Sequence, residues 1–257
     1  MIDLHCHVLP GIDDGPKTIE GSLALARAAA TAGTRVIVAT PHVSWRYPNE
    51  SATIAALTDE LNECLSAEGI PLEVRAGAEI AMTRAGEIQE QELGRLTIGG
   101  GPWVLLEPPF SPVTTGLEGV VAELRSAGHR VLLAHPERCP AFHREPRTLE
   151  ALLRGGALSS ITASSLTGHF GGQVRRFARR LMTEGMVHNV ASDAHDSLKR
   201  PPGIDAQLTQ AGFGQLSVWL TQAVPEAILS GEEIPRRPIE ATAGASRFRG
   251  PRWRRRG

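Results

Sequence analysis

Short apolar runs recur along this chain and alternate with longer helix-like stretches. The seven candidate strands are residues 2–7, 35–40, 72–79, 103–107, 130–135, 157–163 and 187–193. The four clearest candidate helices are residues 18–32, 51–68, 117–127 and 170–184, and each is followed by a glycine that suits a helix C-terminus. Strands that alternate with helices at this spacing predict parallel βαβ units. We therefore expect an α/β fold with one barrel-like domain of seven βα units over residues 1–246, including a few terminal helices.

Residues that commonly bind metals stand at or just after the ends of six of the seven predicted strands. In a parallel α/β barrel the active site lies at the C-terminal ends of the strands, because the βα loops gather there. These strand ends supply His5, His7, His42, Glu79, Glu107, His135, Asp193 and His195. The same placement on six strands is hard to explain as scattered surface polarity. The pattern therefore predicts a metal site at this rim.

The first strand carries the most compact part of the pattern. Alternate residues of a strand share a face, so His5 and His7 point the same way while Cys6 points to the other side. An H-x-H pair alone is also typical of a half-exposed strand. Here an Asp-Asp-Gly turn follows it and offers Asp14 as a ninth candidate ligand.

The nine candidates are imidazoles and carboxylates. Mixed nitrogen and oxygen ligands without thiolates favour Mn, Fe or Zn over thiol-binding metals. One ion uses about four to six ligands including water, so nine candidates predict two or three ions that share a bridging carboxylate. Clusters of this kind are typical of phosphoester hydrolysis, where they stabilise the attacking hydroxide and the developing oxyanion.

Two arginines stand close to these ligands in sequence. Arg138 follows His135 by three residues, and Arg200 follows His195 by five. A single surface arginine is usually only solvated, but short loops tether both of these to candidate ligands. Because bidentate arginine is a common phosphate-binding group, we expect both to contact a substrate phosphate.

The cysteines and serines do not fit the common nucleophile motifs. The three cysteines include no C-x-x-C pair, which argues against a disulfide framework and a zinc finger. Cysteine-based tyrosine phosphatases need a C-x5-R loop, and the spacing from Cys139 to Arg144 is one residue short. No G-x-S-x-G elbow surrounds a serine. Any phosphatase activity is therefore expected to depend on metal.

Charge is distributed unevenly along the chain. Six arginines fall in residues 247–257, and without them 21 basic residues face 28 acidic ones. A body this acidic is a poor general binder of nucleic acid. We expect the arginine-rich tail to be disordered, although it offers a contact to anionic lipid or an acidic partner. The start of the chain has no secretory signal pattern and no apolar run is long enough to span a bilayer, so we expect a cytoplasmic protein.

The ordered motifs resemble one known family. They are MIDLHCHVLPGIDDGPK, ATPH, GAEI, LLEPP, AHPER, SSLTGHFG and ASDAHDSLKRPP. In this order and spacing, from Met1 to about Gly231, they resemble the CpsB-type bacterial protein-tyrosine phosphatases of the polymerase and histidinol phosphatase (PHP) superfamily. The DDGPK and KRPP segments match the tyrosine phosphatase branch.

The resemblance implies a distorted (β/α)7 TIM-like barrel of the PHP type with three divalent ions, most often Mn, with Fe, Zn or Mg as alternatives. It implies three ligand groups: His5, His7, Glu79 and Asp193; Glu79, Glu107 and His135; and Asp14, His42 and His195. It also implies that Arg138 and Arg200 contact the substrate phosphate and that a metal-bound hydroxide attacks phosphorus without a phosphoenzyme.

The resemblance further implies a substrate, the tyrosine-phosphorylated tail of a membrane-associated bacterial tyrosine kinase that controls capsule or exopolysaccharide assembly. Two alternatives stay open at this point. One is a small-molecule phosphoesterase similar to histidinol phosphatase. The other is a non-catalytic module in which metals stiffen the barrel and the two arginines capture a phosphorylated partner.

Overall fold

The computed structural model describes residues 1–238 and contains short parallel strands joined by helices. The strands are β1 (Ile2–Cys6), β2 (Val36–Ala39), β3 (His42–Val43), β4 (Glu73–Ala76), β5 (Glu79–Ala81), β6 (Trp103–Glu107), β7 (Arg130–Ala134), β8 (Leu158–Thr162) and β9 (Asn189–Ala191). The α-helices are α1 (Ile19–Thr31), α2 (Ser51–Ala67), α3 (Met82–Ala85), α4 (Glu90–Arg95), α5 (Leu117–Ser126), α6 (Pro140–Arg144), α7 (Pro146–Arg154), α8 (Gly172–Thr183), α9 (Ile204–Gln210) and α10 (Val224–Ser230).

The strands form two parallel sheets, with the orders β1-β2-β4 and β3-β5-β6-β7-β8-β9. Two residues separate β2 from β3 and two separate β4 from β5, so two chain segments run from the first sheet into the second. The first sheet also meets the end of β9. The His7 amide donates to the Ala194 carbonyl at 2.9 Å, and the Asp193 amide donates to the His5 carbonyl at 2.8 Å.

The predicted α/β fold with parallel strands is confirmed, and the strands differ from the prediction in detail. The predicted strand over residues 72–79 is divided into β4 and β5, and β3 follows the predicted strand over residues 35–40. The predicted strand over residues 72–79 is interrupted at Gly77, where the chain passes very close to β2. A Cβ atom there would lie 2.7 Å from Val38 Cγ1, so no side chain fits without movement.

The four predicted helices are present as α1, α2, α5 and α8, with ends within about two residues of the prediction. Gly33 and Gly128 follow α1 and α5 with φ of 89° and 90°, a conformation that glycine adopts without a steric penalty. The Thr18 side chain accepts a hydrogen bond from the Gly21 amide at the start of α1.

The core lies between the sheets and the surrounding helices. The central strands β6 and β7 are apolar on both faces, as parallel strands covered by helices require. Their buried side chains include Leu105 and Leu132, which are fully inaccessible. This packing fixes the strand ends, and the strand ends carry the candidate ligands.

Among residues 1–238, no helix combines the length and the apolar composition that a membrane crossing needs. The predicted arginine-rich tail, residues 247–257, lies outside the described residues, as does the end of the predicted domain at residue 246.

Candidate metal centre

The structure brings all nine candidate ligands together in one cluster. His42 and Glu79 begin the short strands β3 and β5, and the other ligands lie at or after the ends of β1, β6, β7 and β9. His5 and His7 lie in and just after β1, and their Nε2 atoms are 3.3 Å apart. The Cys6 side chain between them points away, toward the Ala194 carbonyl. The alternation expected from the sequence is therefore present, and both imidazoles are buried.

Glu79, the first residue of β5, lies at the middle of the cluster and is fully buried. Its Oε2 atom is 3.3 Å from Nε2 of His5, 3.3 Å from Nε2 of His7 and 3.0 Å from Nδ1 of His42. Its Oε1 atom is 2.7 Å from Nε2 of His135. One carboxylate that faces four imidazole nitrogens is well suited to bridge ions.

The remaining ligand atoms surround Glu79. Glu107 has one oxygen 3.9 Å from His42 Nδ1 and the other 3.9 Å from His135 Nε2. Asp193 Oδ1 is 3.6 Å from Nε2 of both His5 and His7. Four groups of ligand atoms are each compact enough for one ion: His7, Asp14, His42 and His195; His5, His7 and Asp193; His5, Glu79 and His135; and His42, Glu79 and Glu107.

The donor set fits divalent metal ions. Among the described residues, no donor forms a well-directed hydrogen bond to the buried Oε2 atom of Glu79, although three imidazole nitrogens lie within 3.3 Å of it. A buried anionic oxygen without a directed partner is costly. Lone pairs of imidazole and carboxylate that converge on the same space are the arrangement that a cation satisfies.

Asp14 belongs to the outer part of the cluster. Its Oδ1 atom is 3.2 Å from His195 Nε2 and 3.5 Å from His42 Nε2, and its side chain is 47% exposed. The hydrogen bond with His195 lowers the pKa of Asp14, so this carboxylate is charged at neutral pH. The third predicted ligand group, Asp14, His42 and His195, is thus drawn together near solvent.

Asp13 is a residue of the centre whose contacts the sequence analysis did not anticipate. Its Oδ2 atom is 2.6 Å from His7 Nδ1 and also accepts a hydrogen bond from the His42 amide at 3.2 Å. Its Oδ1 atom accepts from the Gly15 amide at 2.8 Å. A carboxylate behind a metal-binding histidine fixes the tautomer and leaves Nε2 free to bind the ion. The adjacent Asp-Asp pair was the only sequence signal for this contact.

The ionisable groups influence one another strongly. Burial alone would raise the pKa of Glu79, but the nearby imidazoles of His5 and His135 hold it well below its usual range. Burial raises the pKa of Glu107 to about 8, and the charge of Glu79 adds to this effect. Burial alone would lower the pKa of His7, but the nearby carboxylates of Asp13 and Glu79 raise it to about 10.

Two candidate ligands have an unusual backbone conformation. Among the described residues, His135 (φ 30°) and Asp193 (φ 51°) are the non-glycine residues with positive φ. Such a conformation costs on the order of 1–3 kcal/mol and persists only where the surroundings hold it in place. His135 directly follows β7, and Asp193 follows β9 after one intervening residue, Ser192.

Arg138 and Arg200 both reach Asp193. Arg138 Nη1 is 2.5 Å from Asp193 Oδ2, and Arg200 Nη2 is 2.6 Å from the same atom. The Phe170 ring lies against both guanidinium groups, 4.3 Å from Arg138 and 5.8 Å from Arg200. Phe110, which is exposed, lies 5.1 Å from Arg138 and stacks on His135. The arginines therefore lie beside the ligand cluster, and neither phenylalanine was predicted as a site residue.

Two further buried carboxylates support this region and were also missed. Asp3 accepts hydrogen bonds from the amide and hydroxyl of Ser192, which precedes Asp193. Glu137 accepts hydrogen bonds from the Thr162 amide at 2.9 Å and the Ser165 hydroxyl at 2.7 Å. Burial raises the pKa of Glu137 to about 7. Glu137 ties the turn after β7 to the end of β8, and Asp3 ties β1 to the residue that precedes Asp193.

The cysteines are poorly placed for nucleophilic catalysis. Cys6 and Cys139 are buried, and burial raises the pKa of both thiols. A thiol with a raised pKa is a weak nucleophile. Chemistry at this centre therefore depends on the imidazoles, carboxylates and arginines.

Comparisons with known proteins agree with this geometry. The family model for capsular polysaccharide synthesis, CpsB/CapC, matches residues 1–212. Tyrosine-protein phosphatase YwqE of Bacillus subtilis (strain 168) is 37% identical over 244 residues, which cover 93% of this chain and 95% of YwqE. CapC of Staphylococcus aureus is 34% identical over 204 residues, which cover 78% of this chain and 79% of CapC.

A solved structure is similar over nearly the whole chain. It comes from the crystal structures of YwqE from Bacillus subtilis and CpsB from Streptococcus pneumoniae, described as unique metal-dependent tyrosine phosphatases. The TM-score is 0.83 at 36% identity, with 93% of this chain and 98% of that chain covered. With the family model matched over residues 1–212, this chain belongs to the capsular polysaccharide synthesis family CpsB/CapC.

Proposed function

We propose that this protein is a metal-dependent protein-tyrosine phosphatase that hydrolyses phosphotyrosine on a bacterial tyrosine kinase of capsular or exopolysaccharide synthesis. The observation that carries the proposal is the buried Glu79 carboxylate, which faces four imidazole nitrogens beside Arg138 and Arg200. Membership of the CpsB/CapC family and the likeness to metal-dependent tyrosine phosphatases support it.

Three divalent ions, with manganese as the preferred metal, would be held by three groups of residues. These are His5, His7, Glu79 and Asp193; Glu79, Glu107 and His135; and Asp14, His42 and His195. When bound, such ions supply an activated water and offset the charge that develops on the phosphate. The compact group His5, His7 and Asp193 supports the first set, and the group that contains Asp14, His42 and His195 supports the third. In the second set, Glu79 shares one compact group with Glu107 and another with His135.

The chain itself contributes charge and orientation to the reaction. Arg138 and Arg200 hold the phosphate through charge-assisted hydrogen bonds, which fix its angle to the ligand cluster. Asp193 keeps both guanidinium groups aimed at the cluster when no phosphate is present. The tyrosyl ring enters past the exposed Phe110, which offers an aromatic face at the mouth of the site.

The two sheets together constitute the distorted (β/α)7 barrel in this proposal. If β2 is counted with β3 and β4 with β5, the chain has seven strand segments. The hydrogen bonds between β1 and the residues after β9 join the first segment to the last. Residues 1–246 form this domain. The enzyme acts in the cytoplasm, near the membrane that carries the kinase.

A comparison of substrates tests the proposal. The manganese-loaded protein should hydrolyse phosphotyrosine peptides with a higher kcat/KM than histidinol phosphate. Faster turnover of histidinol phosphate would show that the protein is a small-molecule phosphoesterase instead. Binding of phosphopeptides without any turnover would identify a non-catalytic module.

His135→Ala tests whether the ligand cluster performs the reaction. We expect the variant to lose hydrolysis because Glu79 and Glu107 lose their shared imidazole neighbour, while the circular dichroism spectrum stays native. His129→Ala is the matched control, since His129 lies just before β7 and His135 just after it. Hydrolysis that survives in the native, metal-loaded His135→Ala protein would contradict the proposal.

A further inference from the structure

A groove lined by arginines lies between α8 and the residues around the end of α9. It has a volume of about 420 Å³, and Thr167, Arg175, Arg176, Arg179 and Gln210 contribute to its walls. None of its lining residues is acidic. The groove is separate from the residues of the candidate metal centre.

The positive charge of the arginines in this groove is poorly balanced by carboxylates within the described part of the chain. Helix α8 carries four arginines and no acidic residue. Arg180 pairs with Glu184 at 2.8 Å, and Arg179 donates to the Ala211 carbonyl at 2.9 Å. No carboxylate of residues 1–238 pairs with Arg175 or Arg176, and both are exposed. Three neighbouring guanidinium groups without a carboxylate partner attract an anion.

The loop after β8 connects this groove to the metal centre. Its Thr167 lines the groove, whereas its Phe170 ring contacts the guanidinium groups of Arg138 and Arg200. Three residues of chain span at most about 11 Å, so the two positions are close. Helix α8 also packs against the turn at residues 136–138, which carries Arg138.

We propose that the α8 groove is a second anion site, which binds an acidic side chain of the phosphotyrosine substrate a few residues away from the phosphotyrosine. An extended peptide advances about 3.3 Å per residue, so roughly three to four residues cover the span of at most about 11 Å between Thr167 and Phe170. This inference rests on the proposed function, because it describes how the same substrate is recognised. A concave groove favours a single side chain over the flat surface of a membrane.

The test uses two labelled phosphotyrosine peptides. One carries glutamates three to five residues on both sides of the phosphotyrosine, and the other carries glutamines there. We expect the metal-loaded wild type to prefer the glutamate peptide about three- to tenfold through KM, as one or two solvent-exposed charge-assisted contacts would give. The preference should weaken as salt is added, because exposed charges are screened.

R175Q/R176Q should abolish this preference and leave turnover of p-nitrophenyl phosphate unchanged. R147Q/R154Q on α7 is the matched control, since it removes the same charge from another helix and should keep the preference. The proposal is overturned if the wild type shows no preference, if the preference survives R175Q/R176Q, or if the control loses it equally. It is also overturned if R175Q/R176Q impairs only binding to phosphatidylserine vesicles.

The experiment distinguishes failure of the proposed function from failure of the anion site. If neither peptide is hydrolysed by the metal-loaded protein, the proposed function is wrong. Fluorescence anisotropy of the same peptides then tests the groove alone. Tighter binding of the glutamate peptide that is lost in R175Q/R176Q would still support the anion site, and equal binding of both peptides would overturn it.

Discussion

Asp13 and Asp14 are adjacent in the chain, yet their carboxylates lie in different surroundings. Asp14 is half exposed and faces His195 and His42, whereas Asp13 is buried behind His7. Asp14 was the predicted ligand because one carboxylate of the turn was expected to reach the metals. The Asp13 contact was not predicted, since only the folded turn shows which carboxylate faces Nδ1 of His7.

Asp13→Asn should weaken metal binding about 10- to 100-fold, because the His7 imidazole loses the carboxylate that orients it. Manganese titration of the metal-free protein measures this. Asp59→Asn on the exposed face of α2 is the control and should leave the affinity unchanged. An unaltered affinity in Asp13→Asn would show that Asp13 does not position His7.

Arg200 is expected to act on phosphate and not on metal. Arg200→Ala should weaken competitive inhibition by inorganic phosphate about tenfold or more, the order expected for a lost charge-assisted contact. Its metal content should equal that of the wild type. Loss of metal from Arg200→Ala would mean that the Arg200 pair with Asp193 holds the ligand cluster together instead.

At the level of elements, sequence periodicity located the long helices and missed the short ones. α1, α2, α5 and α8 are long enough to show a helical pattern and a glycine at the end. α6 and α7 begin at Pro140 and Pro146, but with five and nine residues they show too little periodicity. Most of the candidate ligands were found because they stand at or just after the ends of the predicted strands. The phenylalanines beside the arginines depend on loop conformation, which no periodic pattern encodes.

The turn after β1 allows a test at this scale. A Cβ atom on Gly15 would lie 2.5 Å from the His7 carbonyl oxygen and 3.0 Å from Asp13 Oδ1. Gly15→Ala should therefore displace the turn and lower the bound metal measured by elemental analysis. Gly119→Ala on α5, where a Cβ atom would meet nothing within 4 Å, should bind metal normally. Equal metal content in both variants would contradict this account of the turn.

At the scale of the whole molecule, the centre collects ligands from residue 5 to residue 195, and their protonation is coupled. In the metal-free protein, Glu107 with a pKa of about 8 and His7 with a pKa of about 10 both hold protons at neutral pH. Burial lowers the pKa of His135 to about 4, so this ligand is already neutral. Ligands must lose their protons before they bind a metal ion.

Metal affinity should therefore increase as the pH rises from 6 to 8. The expected increase is about tenfold per pH unit for each proton that binding releases. Manganese titrations in several buffers measure the affinity, and the pH change of a weakly buffered sample counts the protons released. An affinity that stays constant across this range would contradict the protonation states assigned to His7 and Glu107.

The central claim is that metal bound by this cluster is required for hydrolysis of phosphotyrosine. The most direct measurement strips the protein with a chelator, restores manganese in steps, and records bound metal and phosphopeptide hydrolysis on the same samples. The account predicts no hydrolysis in the stripped protein and a rate that increases as the cluster fills. Full activity in the stripped protein, or a filled cluster that hydrolyses no phosphotyrosine, would contradict it.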